Sequence, residues 1–214
     1  MAQGNRKVLA AVGVMAVLLG GGRSQAADPA FTVVVHVTDL ARHDASDLAR
    51  ARAEAKRIFA ASGVRLLWVD ISEGPQAHTC DGMNVSVTLL SPFLISQLTE
   101  QGMGENVLGS GSPTAGRAFV YSQRVYDRAA GTHVDPGVLL GRVFAHEVGH
   151  LLLGNDHSSI GVMTAGINTD PLGLSVFFTA KETRRVRGLL AAKAGAKEAR
   201  EACGGVAAIA DARK

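Results

Sequence analysis

The sequence predicts a single domain of the α/β or α+β class, and two observations lead to that prediction. The first is a β-α-β order, with strand-like residues 31–37, helical residues 44–61 and strand-like residues 64–69. One helical crossover between two strands favours a parallel pair with a right-handed connection. The second is length, because about 185 residues follow residue 27 and suit one sizeable core.

Each of these elements carries a local signal. The first strand, FTVVVHV, is rich in β-branched residues, which fit a pleated surface. The helix has Asp44 or Ser46 near its N-cap and Gly63 just beyond its end. The second strand, VRLLWV, is short and mostly apolar.

Shorter elements follow in the middle of the chain. A third strand is expected at residues 85–90 (VSVTLL), a short helix at 92–99 and a glycine-rich loop at 102–116. A further strand is expected at residues 117–125 (RAFVYSQRV), and an apolar helix at 138–153.

The last helix begins at a recognisable cap. Thr179 and Glu182 form a Thr-x-x-Glu capping box, in which each side chain bonds the other residue's backbone N–H. The helix is expected to run to about Ala202, and residues 204–214 are predicted to be a flexible tail.

The first 27 residues predict a secretory signal peptide. Arg6 and Lys7 precede an uncharged twelve-residue run at 8–19, and small residues follow at 24–27. The apolar run is too short to span a membrane comfortably, although an uncleaved anchor is the alternative. We therefore expect an exported protein, periplasmic or extracellular, with no stable membrane insertion once the signal is removed.

Charge gives no support to nucleic-acid binding. Three of the 22 Lys and Arg residues lie in the signal segment, which leaves 19 basic against 19 acidic residues. The basic isoelectric point is thus largely a property of that segment, and no nucleic-acid partner is expected.

Cys80 and Cys203 are the two cysteines of the chain. In an exported protein an even number of cysteines permits a disulfide, so a Cys80–Cys203 bond is predicted. Two free buried thiols are the alternative.

The most informative segment is AHEVGHLLLGNDH, which contains His146, Glu147 and His150. On a helix, residues four apart project only about 40° from each other, so both imidazoles can reach one metal ion. Glu147 lies on the same half of the helix, where its carboxylate can accept a proton beside the metal.

A third ligand requires the chain to bend back after this helix, because a tetrahedral site cannot be completed from the same turn. Gly154 suits such a bend, since glycine adopts positive φ without strain. His157 follows three residues later, and Met163 follows His157 by six residues.

These residues resemble the signature of the metzincin peptidases, His-Glu-x-x-His-x-x-Gly-x-x-His followed by a methionine turn. The resemblance implies a Zn²⁺ ion bound by His146, His150 and His157, with Glu147 as general base and Met163 as the turn methionine. It also implies a twisted mixed sheet with an active-site helix and a C-terminal helix.

The spacing departs from the family at one point. Three residues separate His150 from Gly154, where the family has two. The Gly-x-x-His interval to His157 is intact, which indicates a longer helix and an unchanged turn. Asp156 stands where a strict count places the third ligand, and it is the alternative to His157.

The resemblance further implies a strand at the upper edge of the cleft that pairs with an extended peptide. The candidates are Ala118, Phe119, Val120 and Tyr121. An ordinary sheet strand is the alternative interpretation.

The function implied is that of a secreted zinc-dependent endopeptidase, with its catalytic domain at residues 28–203. It would hydrolyse peptide or protein substrates through a zinc-activated water, with Glu147 as general base. The alternative is a non-catalytic metal- or peptide-binding module on the same scaffold. The sequence leaves the oligomeric state open.

Overall fold

The computed structural model describes residues 31–71 and 82–211, with side chains described as far as residue 196. Within those residues the elements are β1 (Phe31–Asp39), α1 (Ala45–Ala60), β2 (Val64–Asp70), β3 (Met83–Leu89), α2 (Pro92–Glu100), β4 (Gly109–Ser112), β5 (Arg117–Val120), α3 (Ser122–Ala130), α4 (Pro136–Leu153) and α5 (Ala180–Asp211).

The strands form one mixed sheet in the order β2-β1-β3-β5-β4. β1 pairs in parallel with β2 and β3, and β3 pairs in parallel with β5. β4 is antiparallel to β5 and lies at the edge of the sheet. The mixed α/β fold class is confirmed, as is the parallel β-α-β unit at its start.

The β-α-β unit forms at the residues where the sequence predicts it. The Asp44 side chain caps α1 by accepting a hydrogen bond from the Ser46 backbone N–H at 2.7 Å. Gly63 follows the helix with a φ of 72°. β1 lies between β2 and β3, and its valines are buried on both faces of the sheet, as a strand between two parallel neighbours requires.

Two sequence predictions between residues 102 and 130 are wrong. The strand expected at 117–125 ends at Val120, and the chain then turns into α3, whose buried residues Ser122, Val125 and Ala129 have helical spacing. The loop expected at 102–116 contains β4, whose sequence is GSGS. Glycine and serine have little preference for strands, so this strand depends on backbone pairing with β5.

Helix α4 packs very closely on α1. A Cβ atom at Gly141 would lie 2.5 Å from the backbone oxygen of Ala51, so a larger residue would push the helices apart. The helix begins two residues before the predicted start, at Pro136, and the Asp135 side chain accepts a hydrogen bond from the Val138 N–H at 3.0 Å.

The capping box of α5 is present. Glu182 accepts from the Thr179 N–H at 2.7 Å, and Thr179 Oγ1 accepts from the Glu182 N–H at 3.3 Å. The helix continues to Asp211, past the expected end near Ala202 and through most of the segment expected to be a tail.

Two sequence predictions, the signal peptide and the disulfide, fall outside the described residues. The signal peptide (1–27) and Cys80 lie outside them, as does the side chain of Cys203, so the disulfide remains a prediction. None of the described helices is both long enough and apolar enough to span a bilayer.

An ion-pair network with Glu54 and Arg142 buried at its centre joins α1 to α4. Glu54 accepts hydrogen bonds from Arg57 at 2.7 and 2.8 Å and from Arg142 Nε at 3.3 Å. Arg142 is 2% exposed, and its Nη1 also donates to the backbone oxygen of Asn168 at 2.9 Å. Arg142 precedes His146 by one turn, so the network joins the middle of α4 to α1 and to the segment that follows Met163.

Replacing Glu54 by Leu is expected to lower the free energy of unfolding by about 3–5 kcal/mol, because Arg142 would stay buried without its counter-charge. Urea unfolding measures this effect. The matched control is Lys56→Leu, at an exposed position of the same helix, with an expected change within roughly 0.5 kcal/mol. Equal effects of the two substitutions would contradict a role for the buried pair.

The contribution of Glu54 also depends on pH. Burial by itself raises the pKa of Glu54, but hydrogen bonds and charge from Arg57 and Arg142 outweigh burial and hold the pKa below the usual 4.5. A lowered folded-state pKa means that the stabilisation is complete above pH 4.5 and is lost as pH falls through the folded value. The difference between wild type and Glu54→Leu should therefore shrink in acid.

Candidate metal centre

Helix α4 places three functional side chains on one buried surface. His146, Glu147 and His150 all lie within its last two turns and are less than a tenth exposed. The Nε2 atoms of His146 and His150 are 2.9 Å apart, as the four-residue spacing predicts.

Backbone carbonyls orient both imidazoles. Nδ1 of His146 donates to the carbonyl oxygen of Val162 at 2.8 Å, and Nδ1 of His150 donates to that of Gly154 at 2.8 Å. A carbonyl can only accept, so each ring carries its proton on Nδ1 when neutral. The lone pairs of both Nε2 atoms are then available at the same point, as in histidine ligands of metals.

The turn after α4 brings in the third histidine. Gly154 ends the helix with a φ of 90°, and the chain reverses so that His157 returns to the helix face. One nitrogen from each of His146, His150 and His157 lies within 4.8 Å of the others. Asp156 is not part of this group and lines a neighbouring cavity beside Ser158.

The donor set fits a divalent cation. Two Nε2 lone pairs that face each other at 2.9 Å repel unless a cation or proton lies between them. Nitrogen ligands about 2.0–2.1 Å from a tetrahedral zinc ion lie roughly 3.3 Å apart, close to this separation. Three imidazoles with a remaining open side suit a Zn²⁺ ion that reacts with substrate.

Burial keeps His146 and His150 neutral. It lowers the pKa of His146 to about 4, although the hydrogen bond to Val162 opposes the shift. Burial also lowers the pKa of His150, with a smaller contribution from the neighbouring His157. Both rings are therefore neutral at neutral pH, with a free lone pair on Nε2, which is the form that binds a metal.

Glu147 lies beside the histidines and is almost fully buried. Its Oε2 atom is buried and has no hydrogen-bond partner among the described residues. Burial raises the pKa of this carboxyl to about 8. A Cβ atom at Gly109 would lie 2.4 Å from Oε1, so β4 can cover Glu147 only because residue 109 is glycine.

Met163 lies beneath the metal-binding face of α4. The residue is 1% exposed, and a Cβ atom at Gly149 would lie 2.4 Å from its sulfur. Glycine at 149 therefore lets the methionine contact the helix between His146 and His150. The backbone oxygen of Met163 accepts from the Ser158 N–H at 2.8 Å, which joins this turn to the segment carrying His157.

The strand edge beside the metal centre is β4, and the sequence prediction of an edge at Ala118, Phe119, Val120 and Tyr121 is wrong. β5 has β3 on one side and β4 on the other, so its backbone is already paired. Tyr121 is buried, and its hydroxyl bonds Ser110 Oγ at 2.8 Å.

The centre opens into a cleft of about 560 Å³. Its lining includes residues 106–111, which contain most of β4, and residues 165–167, which follow Met163. Helix α4 contributes Val143, His146, Glu147 and His150 to the lining, and α3 contributes Arg128. A cleft of this volume can enclose several atoms of a substrate side chain and main chain.

The sequence does not predict three parts of this cleft. β4 has no hydrophobic alternation, and residues 165–167 form no regular element. Arg128 follows Val125 by three residues and precedes Ala129, so it stands next to the buried face of α3. The helical spacing of Val125 and Ala129 is therefore the sequence signal that could have predicted the position of Arg128 beside the cleft.

No protein-family model matches the sequence, and no curated protein matches it. Among solved structures the chain is similar to a zinc-dependent peptidase from Methanocorpusculum labreanum, with 14% identity and a TM-score of 0.48 over 72% of this chain and 99% of the other. It is also similar to archaemetzincin from Methanopyrus kandleri, with 16% identity and a TM-score of 0.43 over 75% of this chain and 95% of the other. Neither similarity assigns the chain to a family.

Proposed function

We propose that this protein is an exported zinc-dependent endopeptidase. One observation carries the proposal: three imidazole nitrogens converge beside the buried, unpaired carboxyl of Glu147, in a cleft bordered by a strand edge. Export is inferred from the signal-peptide order of the first 27 residues.

His146, His150 and His157 would hold the metal. A zinc ion bound by three protein ligands supplies Lewis-acid chemistry, polarising a carbonyl and lowering the pKa of water to about 7. The three side chains fix where that chemistry occurs, because two of them are oriented by the Val162 and Gly154 carbonyls.

Glu147 would transfer the proton during hydrolysis. The charge of a Zn²⁺ ion held by the three histidines would favour the ionised form of Glu147 against the effect of burial. That carboxylate would accept the proton from the attacking water and then donate it to the nitrogen of the leaving amine. Its position supports this role, since the Oε2 atom has no described partner and the residue lines the open cleft.

β4 would bind the substrate main chain. Its outer edge has no strand beside it among the described residues, so its N–H and C=O groups can pair with an extended peptide. Pairing along a strand recognises the middle of a chain rather than its ends, which favours an endopeptidase.

Hydrolysis of denatured casein with and without a chelator tests the proposal. We expect a chelator to abolish cleavage and one equivalent of Zn²⁺ per chain to restore it, whereas Mg²⁺ should not, because imidazole ligands suit zinc better than magnesium. Stoichiometric zinc without cleavage would favour the non-catalytic module, and failure to bind zinc would refute the site.

A further inference from the structure

Arg128 is one of the residues that line the metal cleft. It belongs to α3 and lines the cleft together with Leu108, Val143 and Ile167. Among the described residues that line this cleft, it is the sole Lys or Arg. An isolated cation beside apolar walls is a feature of sites that select one kind of side chain.

The neighbouring arginine shows that the position of Arg128 is unusual. Arg124, one turn earlier on α3, donates to the backbone oxygens of Gly104 at 2.6 Å and Val107 at 2.9 Å. It also donates to Thr99 Oγ1 at 2.6 Å, so its guanidinium holds the segment that leads into β4. The guanidinium of Arg124 thus donates its hydrogen bonds within the protein.

The Arg128 guanidinium has no such partner in the part of the chain that the structure describes. The residue is exposed, and no hydrogen bond or ion pair joins its side chain to another described residue. Asp127 and Glu105 line the adjoining cavity, but neither forms an ion pair with it. Its donors are therefore available to a ligand in the cleft.

The surroundings fit a short acidic side chain. Leu108, Val143 and Ile167 offer apolar contact to methylene groups. Arg128 and Asn106 line both this cleft and a second cavity of about 490 Å³, as do Leu108 and Ile167, so the guanidinium belongs to the same part of the cleft as these apolar side chains. Arginine presents a planar pair of N–H donors that matches a carboxylate.

We propose that Arg128 is a specificity-determining residue that binds a carboxylate of the peptide substrate. The carboxylate is supplied by an Asp or Glu side chain, or by the C-terminus of a short peptide that ends in the cleft. This inference rests on the proposed peptidase function, because it assigns a substrate class to the same cleft.

Peptide binding to zinc-loaded protein carrying Glu147→Gln tests the inference without turnover. Labelled peptides with amidated C-termini would carry Glu, Gln or Lys at each position in turn, and fluorescence anisotropy would give their affinities. A neutral peptide with a free C-terminus would separate the two sources of carboxylate. We expect the Glu peptide to bind about tenfold tighter than its Gln counterpart at one position, as a charge-assisted contact allows.

Variants at position 128 test whether Arg128 causes the preference for Glu in the peptide. Arg128→Gln should remove the preference for Glu, and Arg128→Glu should replace it with a preference for Lys. The matched control is Arg184→Glu, an exposed arginine of α5 that does not line the cleft, which should leave the preference unchanged. Equal binding of all peptides, or a Glu preference that survives Arg128→Glu, would overturn the inference.

Cleavage by the wild-type protein separates this inference from the proposed function. If peptides are cut without regard to charge, the peptidase proposal stands and the role of Arg128 fails. If acidic peptides bind through Arg128 but are never cut, the role of Arg128 stands and the peptidase proposal fails.

Discussion

Replacing Glu147 by Gln is expected to leave one zinc ion per chain and to reduce peptide hydrolysis by at least about 10²–10⁴-fold, the range attributed to acid–base catalysis. Glutamine preserves the size of the side chain and a hydrogen-bonding group, so it fits beneath Gly109 as the glutamate does. It cannot accept a proton from water at neutral pH. This variant should therefore keep its zinc ion while losing most of its peptide hydrolysis.

Elemental analysis after dialysis and a peptide cleavage assay measure the two effects. An active Glu147→Gln protein would overturn the mechanism proposed for Glu147. Loss of zinc from this variant would show instead that the carboxyl helps to hold the metal. The control is wild-type protein taken through the same metal removal and reloading.

Replacing His157 by Ala is expected to remove zinc on dialysis. The loss of affinity should exceed the roughly 10–100-fold that follows removal of a hydrogen-bond partner of a ligand, because a ligand itself is lost. His146→Ala and His150→Ala should behave in the same way, since each leaves two of three imidazoles. Competition with a coloured zinc chelator gives the affinities.

Asp156→Ala is the matched control for this prediction. Asp156 precedes His157 in the same exposed turn but lies outside the three-histidine group, so its removal should leave zinc bound. A metal-free Asp156→Ala protein together with a zinc-bound His157→Ala protein would assign the third ligand to the aspartate.

The sequence predicts the centre of the site because that part depends on local geometry. The spacing of His146 and His150 produces the same contact on any helix, and Gly154 marks the bend with a conformation that other residues rarely adopt. The Asp44 and Thr179 caps are local in the same sense. Each involves residues at most three positions apart.

The rim of the cleft could not be predicted because it depends on contacts between distant residues. β4 exists through pairing with β5 and close approach to α4, and the glycines that allow this approach look like a loop in the sequence. The error at α3 has a related cause. Residues 117–125 are rich in β-branched and aromatic residues, and this local preference conceals the helical spacing that begins at Ser122.

The composition of β4 also bears on the behaviour of the protein at high concentration. An edge that can pair with a peptide can equally pair with the same edge of a second copy, and that pairing would cover both clefts at once. The other edge of the sheet, β2, carries Arg65 and Asp70, whereas β4 has no charged residue to keep copies apart. Its shortness limits self-association instead, because four residues of glycine and serine offer few hydrogen bonds and almost no side-chain area to a second strand.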